Sequence, residues 1–193
     1  PAFLWLFNII FISAAAMILT CLTASLAGYA LGTMRFKGKG AIFVGVISTM
    51  MIPFYSIVIP LFVMCQRLGL VDTYLGMILP WIPHAFGIFL MRQYYLTFPR
   101  ELKEAAVIDG CTHFGVFFKI ALPISKSILA ALGIIFFTSN WDRFLWPMLI
   151  TNSPEMRVLP VGIMQFKGQF VVNWHRRRGG LHPHDPGVYF SSG

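Results

Sequence analysis

Charge is what this sequence has least of: only 11% of its 193 residues are Asp, Glu, Lys or Arg, against about a quarter in ordinary soluble domains. With 57% hydrophobic residues beside so few charges, there is too little polar surface to face water all round, and a soluble globular domain is excluded. Cysteine is also sparse. Cys21, Cys65 and Cys111 are odd in number and scattered, which leaves no disulfide framework and no metal-type spacing, so they read as small apolar residues. No metal site and no cofactor is expected. A GxxxxGK phosphate loop is absent, so nucleotide chemistry belongs to another chain. Catalysis lacks its parts too: Asp109 has neither a nucleophile nor a second carboxylate beside it, only His113 one helical turn on, and such a pair reads as a solvated loop contact. The chain opens at Pro1 with neither an initiator Met nor a signal-peptide arrangement. A fragment missing its start is expected, one that does not assemble into an active whole by itself.

What the sequence does have is long apolar runs. Phe3 to Leu31 contains no charged residue, long enough to cross the ~30 Å hydrocarbon core as a helix. After Arg35, Lys37 and Lys39, the segment Ala41 to Cys65 is again uncharged and carries Pro53 and Pro60, which predicts a second, kinked span. A third run, about 75–95, holds Pro80 and Pro83 and is expected to bend or break. It lies antiparallel to the second. A fourth, about 120–146, starts at Ile120, with Lys126 placed to snorkel to the interface. The fold class is therefore all-α, a polytopic transmembrane helical bundle in an inner membrane.

The formal charge of +8 would suggest nucleic acid in a soluble protein. Here the basic residues cluster between apolar runs and report orientation instead. Arg35, Lys37, Lys39, Arg92, Arg100, Lys103, Lys119 and Lys126 fall on one side, while Arg67, Arg143, Arg157 and Lys167 fall on the other. By the positive-inside rule the first side is cytoplasmic, and so is the loop 98–119.

That loop carries the functional signal. Pro99 and Glu101 suit the first turn of a helix, and Gly110 suits its left-handed end. Leu102, Ala105, Ala106 and Asp109 share a face at helical spacing. The adjacent alanines let a partner approach the backbone closely, with Arg100, Lys103 and Glu104 at the rim. Phe114, Phe117 and Phe118 follow before the chain re-enters the membrane at Ile120-Ala121-Leu122-Pro123. A helix joined to two spans in this way can transmit a push.

The pattern Glu104-Ala105-Ala106, three residues, Gly110, then Ile120-x-Leu122-Pro123 resembles the EAA loop of binding-protein-dependent ABC importer permeases. Leu70-Val71-Asp72-Thr73-Tyr74, residues 86–93, Phe144-Leu145-Trp146-Pro147 and Leu159-Pro160-Val161-Gly162 are similar to the carbohydrate-uptake branch of that family. The likeness runs from about residue 3 to Trp174. It implies a partial permease domain over 1–174, with Glu104, Ala105, Ala106, Asp109, Gly110, Ile120, Leu122 and Pro123 coupling to ABC ATPase subunits. It further implies a second permease subunit, and an extracytoplasmic solute-binding protein meeting the outer segment 147–172. The cargo would be a sugar, an oligosaccharide or a glycerol-phosphate type compound. Lipid bilayer and no nucleic acid complete the expected surroundings.

The chain departs from the family's Trp-Asn-acid pattern at Trp141-Asp142-Arg143. Asn140, Asp142 and Arg143 either face the translocation path or sit in the outer interface with Trp141 and Trp146. His84, alone in an apolar run, is either functional or, as expected here, a neutral imidazole bonded to a carbonyl freed by Pro80 or Pro83. A different class, a secondary carrier or membrane enzyme without an ATPase, would call for charged or ligating residues within the spans, or an inverted repeat. Segments 3–31 and 41–65 offer neither.

From His175 onward the composition turns to Arg176-Arg177-Arg178-Gly179-Gly180, with further histidines at 182 and 184. On the outer side these arginines oppose the charge rule. A shifted reading frame explains the change. With CGN arginine codons, reading from the second base of each tail codon yields mainly Ile or Thr, Val or Ala, Phe or Ser, Leu or Pro, and Met, the makeup of a membrane helix. The alternative is a genuine basic tail whose histidines bind metal or lipid. Residues 175–193 are accordingly set apart from the permease domain.

Overall fold

The computed structural model describes residues 2–108 and 110–164; Asp109 and the tail 175–193 lie outside them. Among the described residues the secondary structure is all helical. Helix α1, Ala2–Thr33, is the one described helix long and apolar enough to cross a membrane by itself. It stretches about 48 Å at the usual rise per residue. Three further stretches reach that length and apolarity only as bent pairs. The first joins α2 (Lys39–Ser48) and a 3₁₀ turn (Thr49–Met51) to α3 (Phe54–Arg67) at 100°. The second joins α4 (Tyr74–Ile78) and a 3₁₀ turn (Leu79–Trp81) to α5 (Ala85–Leu96) at 46°. Helix α6 (Arg100–Ile108) follows, and the third pair then joins α7 (His113–Val116), a π turn (Phe117–Ala121) and α8 (Leu122–Ile124) to α9 (Lys126–Trp141) at 77°. The run expected over 120–146 is interrupted again after Trp141, and α10 (Leu145–Ile150) is a separate short helix.

Each break has a local cause. At Pro53 the missing N–H and the extended conformation forced on Ile52 (ψ 113) end one helix before the next begins. Pro60, by contrast, sits inside α3. The second break centres on His84, extended at φ −115 and ψ 105 just after Pro83. There the carbonyls of Trp81 and Ile82 accept hydrogen bonds from the Thr20 and Thr23 hydroxyls of α1 at 3.1 and 3.2 Å. A neighbouring helix thus satisfies the freed backbone, as a membrane interior demands. At the third, Leu122 N–H bonds back to Phe117 O, the wide π register, one residue before Pro123, which has no N–H to offer.

Helix α1 is the centre of the bundle, with α5 beside it and α9 on it. Thr20 meets Trp81 and Ser25 meets Tyr95, so α1 and α5 run parallel. Close approach is possible because small residues recur every fourth position: Ala24, Gly28 and Gly32. A Cβ on Gly28 would lie 2.5 Å from the Met91 Cβ, and one on Gly32 would lie 2.8 Å from the Tyr95 Cβ. On the α5 side, a Cβ on Gly87 would meet Phe136 of α9 at 2.9 Å. One apolar cluster joins Ile9, Ile12, Met77, Trp146, Ile150 and Val158; a second joins Ala24, Tyr29, Met91, Tyr95, Val116, Phe117 and Phe136. Helix α2 buries no residue at all.

Candidate functional site

At one end of the bundle sits the loop 98–119. Its helix α6 has Glu101 in the first turn, where the charge suits the N-terminus. Gly110 ends it with φ 80, and Cys111 N–H closes back on Ala106 O at 2.9 Å. That wide closing bond around a left-handed residue is the Schellman arrangement. The same device ends α3, with Gly69 at φ 67 and Leu70 N–H on Cys65 O. Thr112 then caps α7 by accepting from Gly115 N–H.

The alanine pair requires a correction. Ala106 is 5% exposed and packs with Phe98, Tyr95, Val116 and Phe117, so its small side chain lets α6 sit on the chain's own core rather than on a partner. The Ala105 side chain and Asp109 are outside the described set. What the loop does expose is Leu102, Glu104, Ile108, Phe114 and Phe118, with Ile108 and Phe114 at 85% and 70%. Ile108 is a surface feature outside the face predicted for docking; its place two residues after Ala106, on the opposite side of the helix, is the signal that could have found it. Gly110 is exposed, Ile120 and Leu122 are half-buried in and after the π turn, and Pro123 is exposed in α8.

Below α6, a cavity of about 720 Å³ is lined by Gly32, Arg35, Lys39, Tyr95, Glu104 and His113 among others. It brings the basic loop after α1 beside the loop 98–119, as the charge sorting grouped them. Lys39 Nζ donates to the Gly32 and Met34 carbonyls, closing the C-terminal end of α1. The link upward is polar as well as apolar. The Tyr95 hydroxyl lies 2.8 Å from Ser25 Oγ and 2.9 Å from Ser125 Oγ, which ties α5 to α1 and to the elbow between α8 and α9. The Tyr29 ring meets Tyr95 edge-on at 5.5 Å and Phe117 at 5.4 Å.

At the other end, the loop after α3 grips the segment 150–157. Asp72, at φ 60, donates its N–H to Ile150 O and accepts the Asn152 and Ser153 N–H groups on Oδ1 at 2.9 and 3.1 Å. Burial alone would raise its pKa, but those N–H donors and the Ser153 hydroxyl outweigh it and hold the carboxyl below its ordinary value. Buried Asn8 donates to the Glu155 and Arg157 carbonyls and accepts from the Tyr74 hydroxyl.

Nearer the middle, Arg143 stacks on Trp81 with its guanidinium carbon 3.2 Å from the ring centroid, and it donates to Asn140 Oδ1 at 2.8 Å. Asn140 is itself buried and donates to Phe136 O at 2.7 Å. Asp142, although adjacent in sequence, is exposed at the end of α9 and makes no salt bridge with Arg143. His84 Nδ1 does not take the expected bond to a freed carbonyl: the Gly76 oxygen, four residues before Pro80, accepts from Trp146 Nε1, and the Trp81 and Ile82 oxygens accept from Thr20 and Thr23. Its Nδ1 and the Trp81 Nε1 are buried without hydrogen-bond partners.

Broken apolar helices around one long span, with a capped helical loop at one end, make this an all-α membrane bundle of the importer-permease type. The family described as "Binding-protein-dependent transport system inner membrane component" matches residues 24–172, and the chain belongs to it. It is 43% identical over 159 residues to the arabinooligosaccharides transport system permease protein AraQ of Halalkalibacterium halodurans, covering 82% of this chain and 57% of that protein. To the lactose transport system permease protein LacG of Rhizobium radiobacter it is 36% identical, covering 82% of this chain and 58% of the relative. Among solved structures, a bacterial ABC transporter involved in import of the acidic polysaccharide alginate superposes with a TM-score of 0.78 at 24% identity, over 88% of this chain and 64% of that one. The chain thus spans about six-tenths of the length of the curated relatives it matches.

Proposed function

We propose that the chain is the multi-pass transmembrane permease subunit of an ABC importer, and that it moves a sugar or sugar-like solute without catalysing any reaction itself. Separate ATPase subunits dock on the cytoplasmic loop 98–119, a second permease subunit completes the path, and an extracytoplasmic solute-binding protein delivers the cargo to the outer segment. Carbohydrate-type cargo is supported by the relatives, whose names specify arabinooligosaccharides, lactose and sn-glycerol-3-phosphate. The observation that carries the coupling is the seat of α6: buried Ala106 fixes the loop to the aromatic core of Tyr29, Tyr95 and Phe117, so a load on exposed Leu102, Ile108 and Phe114 reaches α1, α5 and the elbow at Ser125. A packed, hydrogen-bonded seat of this kind moves as a unit rather than yielding locally. Asn140 and Arg143 then belong to the path, at the far end of the helix that the elbow steers.

The test is co-purification of the full-length permease with its ATPase, combined with Gly110→Pro. Proline holds φ near −65° and cannot take the +80° found at Gly110. We expect the ATPase to co-purify with the unaltered protein, and ATP-driven uptake to collapse in the variant while the permease remains in the membrane. No ATPase in the complex, together with undiminished uptake by Gly110→Pro, would remove the proposal.

A further inference from the structure

Arg143 is a half-buried cation which, among the described residues, has no carboxylate partner; its one hydrogen bond goes to the neutral Asn140 and its face lies on Trp81. Enclosing a guanidinium without a counter-ion is unfavourable unless something else supplies the negative charge. Two further nitrogens beside it are unsatisfied: the indole Nε1 of Trp81, the ring on which Arg143 lies, and Nδ1 of His84. The His84 ring packs at 4.7 Å on Phe136, in the turn of α9 that leads to Asn140. Indole N–H and guanidinium are donors only, and an imidazole nitrogen donates in one of its two tautomers. Three donor groups thus lie at or against the break between α4 and α5: the two buried, unpartnered nitrogens on it and the Arg143 guanidinium stacked on Trp81. A neutral hydroxyl could answer one donor. A carboxylate, phosphate or sulfonate group has enough lone pairs to answer all three, and the charge to balance Arg143.

We infer that Arg143, Trp81 and His84 form a binding site for the anionic group of an acidic solute, so that this permease selects a charged sugar derivative over a neutral sugar. The inference rests on the permease reading, since it needs the cluster to meet the solute on its way across.

The experiment uses the full-length permease in its purified complex, labelled with 5-fluorotryptophan, with the Trp81 resonance identified by its loss in Trp81→Phe. Glucuronate, glycerol 3-phosphate and lactose are titrated separately, each to its solubility limit. The Trp81 signal is expected to shift with glucuronate or glycerol 3-phosphate and to stay in place with lactose. Arg143→Gln should weaken that response roughly ten- to hundredfold, the loss of one charge-assisted hydrogen bond, while Arg143→Lys should restore most of it. Should the signal ignore both acidic probes, move equally with lactose, or respond unchanged in Arg143→Gln, the inference is overturned. A shift with inorganic phosphate equal to that with both acidic probes would also overturn it, as the mark of an adventitious ion only. Co-purification of the ATPase, scored on the same sample, shows separately whether the permease reading itself has failed.

Discussion

Gly28 is where the bundle is most sensitive to a single methyl group. Its Cβ, if present, would stand 2.5 Å from the Met91 Cβ and 2.8 Å from both the Met91 carbonyl carbon and the Arg92 nitrogen. Two of those three atoms are backbone, so no rotamer change can make room. Restoring ordinary contact at 3.4 Å requires α1 and α5 to part by about 0.9 Å, a gap that forfeits a quarter to a half of each dispersion contact along the seam. The same displacement stretches the Ser25–Tyr95 bond from 2.8 Å to beyond hydrogen-bonding distance. Overpacking of this kind costs about 1–3 kcal/mol, and loss of the bond adds about 1 kcal/mol.

Gly28→Ala should therefore destabilise the full-length protein by about 2–4 kcal/mol. Gly45→Ala is the matched control, because Gly45 also lies in an apolar helix yet has nothing within 4 Å of its would-be Cβ. That change should be neutral or gain up to ~1 kcal/mol from helix propensity. Cys65, 1% exposed, provides the assay: its thiol becomes labelled by a thiol-reactive fluorophore only as heating opens the fold. Equal melting of the two variants would refute the account of the α1–α5 seam.

The Tyr95 bridge should behave likewise. Tyr95→Phe leaves Ser25 and Ser125 facing an apolar edge and should cost about 1–3 kcal/mol, with less than additive loss when combined with Ser125→Ala; simple additivity in thermal melts would refute the bridge. At the outer end, the Asp72 carboxyl is held below its ordinary value in the folded chain, so the grip it contributes is complete above the unfolded carboxylate value near 3.9 and is lost as pH falls through the lower, folded one. Amide exchange at Asn152 and Ser153 should thus stay slow from neutral down to mildly acid pH and quicken only in stronger acid, whereas Asp72→Ala should quicken it throughout; protection that declines around neutral pH would contradict the assignment.

The parts of this fold that could be read from the sequence are those whose cause is local. An uncharged run makes α1, and a glycine after a short amphipathic stretch stops α6, because a residue free to take φ 80 is needed wherever the helix turns back on itself. The proline breaks were legible in kind but not in degree. Pro53 stands at the break where its pair bends by 100°, while Pro60, seven residues on, lies inside the continuous helix α3; at Pro53 the preceding residue has left the helical region. Nothing within residues 41–65 distinguishes those two outcomes. The Ala24, Gly28, Gly32 repeat is a readable sign of close helix approach, but the apolar run around it defines only a span and does not say which helix it meets.

What sequence could not give was the direction in which small and polar residues face. Ala105 and Ala106 are neighbours on one helix, and any partner can be imagined against them until the three-dimensional fold shows that the core itself occupies Ala106. Asp142 and Arg143 invite pairing by adjacency, yet consecutive residues at a helix end point about 100° apart, and Arg143 turns instead to Asn140 and to Trp81, sixty-two positions earlier. His84 is the sharper case. Proline does free carbonyls in this stretch, so a histidine in their midst has an obvious role, but Trp146, Thr20 and Thr23 from other helices donate to the oxygens of Gly76, Trp81 and Ile82. The imidazole Nδ1 is left buried without a partner, three residues from the ring on which Arg143 lies. A residue that looked structural by its neighbours in sequence is thereby placed among groups that need a ligand.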